Sequence, residues 1–130
     1  MNNNIEEYHV GYEVAELLKE KGFDVHCNSF YLDNGNSFID EVGNYNSQDQ
    51  DENNNHSSAP THSVAIKWIR ENFGIHIMVD RSPRSKNRFD WFYLIKSGDG
   101  FNTQPIFSGY FDQLSEATEA AILYTLKNLI

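Results

Sequence analysis

The chain has 130 residues, 39% apolar and 14% aromatic, enough for one domain with a single core and too few for several. Its net charge of −9 argues against broad nucleic-acid binding, where affinity comes from many Lys and Arg contacts that release phosphate counterions. The single cysteine, Cys27, excludes an internal disulfide, and neither a signal-like start nor an apolar run of membrane-spanning length occurs, so a cytoplasmic protein off the membrane is expected.

The first element is a helix in "EVAELLKEKGFDV", where Val10, Val14, Leu17 and Leu18 recur at helical spacing and Glu13, Glu16, Lys19 and Glu20 supply the wet side. Gly22 predicts its end, with Phe23 folding back on Leu18. A β-hairpin follows over residues 25–32 and 37–42, because Asn34 and Gly35 supply the positive φ angles of a tight turn. His26 and Cys27 are neighbours on that strand and point to opposite faces, which rules them out as a nucleophile and base pair.

Residues 43–59 are polar and almost free of apolar side chains, and read as a flexible loop. Order resumes at Pro60 and Thr61, which start a helix with an apolar stripe of Val64, Ala65, Trp68 and Ile69 ending at Gly74.

Two alternating runs then predict a second hairpin, with Ile75, Ile77 and Val79 matching Trp91, Tyr93 and Ile95 on one face. Pairing residue 79 with 91 and 77 with 93 makes the tip Ser82 to Arg88. In that register Asp80 and Asp90 face each other, a repulsion that Arg84, Lys86 or Arg88 would neutralise, the alternative being a metal or an acid pair with a raised pKa. The tip carries Arg81, Arg84, Lys86 and Arg88, four of the ten basic residues of the chain. If it contacts duplex DNA, four charges give a log-log salt slope of about −3 to −4.

A third strand is expected in "PIFSGYF", and a closing helix in "DQLSEATEAAILYTLKNLI", capped by Asp112 or Ser115 and burying Ala117, Ala120, Ala121, Leu126 and Leu129. The resulting fold class is α+β, a mostly antiparallel sheet of about five strands packed by helices in the order α-β-β-(loop)-α-β-β-β-α. Residues 61–130 form the α-β-β-β-α core unit within a single domain, 1–130.

The Ala117, Ala120 and Ala121 run, with Leu126 and Leu129 behind it, resembles the last helix of the double-stranded-RNA-binding domain, and that resemblance implies the architecture of the C-terminal half. The family's phosphate-gripping lysines are replaced here by Gln113, Ser115, Glu116 and Glu119, so its RNA-binding residues do not carry over. The segments "LLKEKGFDV", "YLDNGNSF", "SAPTHSVAIKWIRENFGIHI" and "FDQLSEATEAAILYTLKNLI" resemble small uncharacterised proteins of phages and integrated elements of gut bacteria, a group whose likeness implies origin and architecture.

No Ser/His/Asp order, phosphate-cradling glycine motif or metal-ligand spacing is present, so no enzyme, cofactor or metal is expected. The informative feature is the other side of the second hairpin, where His76, Met78, Phe92 and Leu94 alternate against the core row. Large apolar groups on both faces imply two-sided burial, either under the N-terminal helix and hairpin or against a protein partner or second copy. The expected function is therefore a non-catalytic protein-interaction module, with nucleic-acid binding through the 81–88 tip as the alternative.

Overall fold

The computed structural model describes residues 7–46, 56–85, 88–98 and 104–130. Helical spacing of apolar residues folds the first element into α1 (Tyr12–Glu20), which buries Val14, Ala15 and Leu18. The helix ends as its sequence requires. Gly22, at φ +97°, donates its N–H to Lys19 O at 3.1 Å, and Phe23 donates to Leu18 O at 2.9 Å, so two carbonyls left over at the helix end are satisfied. Val10 lies ahead of the helix rather than on it, buried, with its N–H bonded to Pro60 O at 3.0 Å.

Strands β1 (Cys27–Leu32) and β2 (Ser37–Gly43) form the first antiparallel hairpin. The turn is wider than a two-residue loop, since Asp33 joins Asn34 and Gly35 at positive φ and Leu32 pairs with Ser37. The polar tract departs further from expectation. β3 (Ser57–Ser58) pairs with the other edge of β1, and Ser57, Ser58 and Ala59 are buried. Tyr45 stacks on Phe30 at 3.9 Å between ring centroids, and Asn46 donates to Phe23 O at 3.0 Å. Residues 47–55 of the expected loop lie outside the described residues. Composition misleads at its ends because serine is small enough to bury once its hydroxyl is bonded: Ser57 Oγ donates to Glu16, and Ser58 Oγ accepts the Tyr45 N–H at 3.0 Å.

Helix α2 (His62–Phe73) starts at Thr61, whose hydroxyl accepts the Val64 N–H, and stops at Gly74 in the left-handed region, φ +67°. Ala65 and Ile69 are buried, and Trp68 meets Phe23 edge-on at 5.3 Å. Strands β4 (His76–Ser85) and β5 (Arg88–Lys96) form the second hairpin two residues out of the expected register. Val79 faces Tyr93 and Ile77 faces Ile95, so the strands run on to a Ser85↔Arg88 pair and the turn is shorter than Ser82 to Arg88. A slip of two leaves every side chain on its own face, which is why the hydrophobic pattern alone could not choose between the registers. The expected confrontation of Asp80 and Asp90 is absent: Asp80 faces Phe92, and Asp90 faces Ser82.

β6 (Ile106–Phe107) pairs with β5, and α3 (Leu114–Asn128) closes the molecule. Gln113, not Asp112 or Ser115, occupies the cap position of α3 and makes no side-chain cap bond. Its inward side is Ala117, Thr118, Ala121, Ile122, Thr125 and Leu126, with Ala120 and Leu129 only partly buried. The fold is α+β. Its strands form two three-stranded antiparallel sheets, β2-β1-β3 and β4-β5-β6, instead of one sheet of five, because β3 fills the place beside β1. One core joins both halves of the chain: Val14, Leu18 and Phe23 pack with Ile69, Ile95, Ile122 and Leu126. Residues 61–130 therefore share their core with the N-terminal segment.

Candidate interaction face and neighbouring polar clusters

Alternation in the second sheet sends Ile77, Tyr93 and Ile95 inward to α2 and α3. The same alternation sends His76, Met78 and Asp80 of β4, Phe92, Leu94 and Lys96 of β5, and Phe107 of β6 outward. Met78 is 45% exposed and Phe107 53%, while Phe92 and Leu94 are half-buried by their neighbours on the sheet. Cross-strand pairing lines these residues up as Met78↔Leu94↔Phe107, with Asp80↔Phe92 on one side and His76↔Lys96 on the other.

Tyr110 completes the cluster by a device of the backbone. Leu94 pairs with Phe107, yet Trp91 bridges to Phe111, so the 108–111 segment holds one residue more than β5 opposite it. Ser108 anchors the irregularity, its N–H donating to Tyr93 O at 3.1 Å and its Oγ accepting the Tyr93 N–H at 2.9 Å. The extra residue returns Phe111 to the core and leaves Tyr110 outside, 45% exposed. Phe92, Phe107 and Tyr110 then form a ring triad with centroid separations of 5.4, 6.3 and 5.9 Å. Phe107 was accessible to pattern reasoning once β6 was aligned with β5. Tyr110 was not, because only the bulge reverses its side.

Neither N-terminal element covers this face, as one reading of the sequence expected: α1 packs on α3 and β3, and the first hairpin pairs with β3. Among the basic residues of the hairpin end, Arg81 is exposed opposite Trp91. Lys86 and the side chains of Arg84 and Arg88 lie outside the described residues.

Polar clusters that contain histidine lie elsewhere among the described residues. Glu119 joins His62 through Oε1 at 2.9 Å and the Gly11 N–H through Oε2 at 2.7 Å, beside an open cleft of about 490 Å³ that Tyr8 and Leu123 also line. Ser29 donates to Asp40 at 2.6 Å and lies 3.4 Å from His9 Nε2. The three residue types of a hydrolase triad thus meet, but with serine in the middle giving its proton to the carboxylate, an order that leaves histidine no proton to withdraw. His9, His26 and Cys27 border one small cavity, and burial pushes the Cys27 thiol up to about 11, partly offset by a hydrogen bond with Ser58, so it stays protonated at neutral pH. Among the described residues no group of three His, Cys, Asp or Glu side chains is placed to hold a metal, and no helix is long and apolar enough to cross a membrane.

Comparison with protein-family models, with curated proteins and with solved structures finds no significant match for the chain.

Proposed function

We propose that this protein is a non-catalytic interaction module that docks protein on the outer face of its second sheet. The observation that carries the reading is the ring triad of Phe92, Phe107 and Tyr110, flanked by Met78 and Leu94, on a face opposite the helices. Large apolar side chains gathered in one patch with charges at its rim are the composition of a docking surface, whereas scattered exposed apolar residues are ordinary. The protonated Cys27 thiol and the reversed Ser29, Asp40 and His9 order weigh against nucleophilic chemistry at the polar clusters. The likeness of several segments to small phage-borne proteins suits an accessory role of this kind in a phage or mobile element.

The test is affinity capture with the full chain immobilised, wild type against Met78→Asp and Phe107→Ser, both at exposed positions. A protein retained by wild type and released by both variants, with unchanged circular dichroism, supports the reading. Equal capture by all three removes the face from the function.

A further inference from the structure

We infer that the occupant of this face is a second copy of the same chain, the two molecules packing sheet on sheet about a two-fold axis that crosses the strands at Met78 and Leu94. The inference rests on the docking reading above, and the order of charges along the face selects the partner. His76 and Lys96 pair across the hairpin at one end, Asp80 stands four residues along β4, and Met78↔Leu94 lies midway. All three polar residues are exposed. At about 3.4 Å per residue the two charged ends are roughly 14 Å apart, with only apolar side chains between them.

An interface between identical copies must satisfy a symmetry condition: if one residue contacts another across it, the reverse contact is made as well. A two-fold axis in the plane of contact, perpendicular to the strands at their Met78–Leu94 midpoint, reverses each strand on its counterpart. Asp80 of one molecule then stands over His76 of the other and within a lysine's reach of Lys96. The same operation brings that Lys96 over the Phe92 ring, the arrangement in which an ammonium group is attracted to an aromatic face. Both contacts occur twice, and the uncharged centres meet each other.

Charge balance points the same way. The whole chain carries −9, yet the exposed acid and amine on this face, among the described residues, are the Asp80 carboxylate and the Lys96 ammonium group, Asp90 being buried. Two copies of so acidic a chain repel each other on average, whereas here they meet with opposite signs in register. Because β6 is only two residues long, the face is narrow, and its contact falls at the small end of interface sizes. A weak, reversible dimer is the expected state.

Sedimentation equilibrium of the full chain over about 5 to 500 µM reads this directly. The expected result is a monomer–dimer equilibrium that Phe92→Asp abolishes while circular dichroism stays native, and Met78→Asp gives the same reading if the Phe92 variant unfolds. Asp80→Lys and Lys96→Asp should each weaken association by about tenfold, and combining them should recover part of the loss, because the opposite signs are again in register while the ammonium contact with the Phe92 ring stays lost. A chain that is monomeric throughout, a dimer indifferent to both Asp variants, or a double charge variant no better than the worse single one overturns the proposal. If the chain is monomeric while capture still depends on Met78 and Phe107, the second copy is excluded and the docking face stands. If neither association nor capture depends on these residues, both readings fall.

Discussion

Glu119 accepts the backbone N–H of Gly11 at 2.7 Å, a bond between residues 108 positions apart that ties the start of α1 to the middle of α3. The other oxygen of the same carboxylate binds His62, the first residue of α2, at 2.9 Å. One side chain thus joins all three helices. The Lys127–Glu13 pair, 2.7 Å long but exposed, links the first turn of α1 to the last turn of α3 and contributes little by comparison.

Glu119→Ala should therefore destabilise the fold by about 1–2 kcal/mol in urea denaturation, the range for a charge-assisted bond at a partly exposed site. A Cβ at Gly11 would lie 2.7 Å from Glu119 Oε2, so Gly11→Ala must displace the carboxylate. Its cost should fall by about 1 kcal/mol when Glu119 is already alanine, and additive costs in that double-mutant cycle contradict the contact.

The first hairpin is locked to α1 at Gly35. This residue has φ +89°, and an added Cβ would come within 2.6 Å of the Tyr12 ring. Gly35→Ala should cost about 2–3 kcal/mol, combining backbone strain with the ring overlap. In a Tyr12→Ser background only the backbone part, about 1 kcal/mol, should remain. An unchanged denaturation midpoint in either background speaks against this packing.

Alkaline pH should weaken the protein as the Cys27 thiol is driven to ionise. Burial raises the Cys27 thiol from its ordinary value near 9 to about 11, and also raises Tyr31 and Tyr93. The folded state thus holds these protons more tightly than the unfolded chain. Below pH 9 the thiol contribution is fully present, and it is lost as pH rises through 11, by about 1–2 kcal/mol. Denaturation midpoints at pH 8, 9.5 and 11 should fall in that order, less steeply for Cys27→Ala. Native Cys27 should also react slowly with a thiol reagent at pH 8.

Phe23 is fully buried beside Trp68, immediately after the glycine that ends α1. Phe23→Ala should cost about 3–5 kcal/mol, and the near-ultraviolet circular dichroism of Trp68 should change with it. The same substitution at Phe38, which is 43% exposed, should cost much less. Similar losses at the two sites contradict the placement of the core.

Much of the fold was legible because its signals are local. Gly22 with Phe23, Thr61 and Gly74 mark helix ends through backbone needs that only nearby residues meet, and the structure places all of them as expected. The alternation of Ile77 with Met78 and of Tyr93 with Phe92 assigned both faces of the second sheet, because a strand's side chains alternate whatever it pairs with. The Ser57–Ser58 strand was hidden for the converse reason: nothing in two serines shows that β1 has an edge to fill.

The sequence by itself determined which face of the second hairpin turns inward, where the first two helices stop, and that this hairpin is apolar on both sides, since propensity, capping and periodicity act over a few residues. Tertiary structure alone decided that the strands divide into two sheets, that Asp80 stands beside Phe92, that a bulge after Ser108 brings Tyr110 into the outer ring cluster, and that Glu119 reaches Gly11. Those outcomes depend on register and on which distant segments meet. A two-residue slip leaves the pattern of faces unchanged, and a bond across 108 positions leaves no trace in the composition of either end.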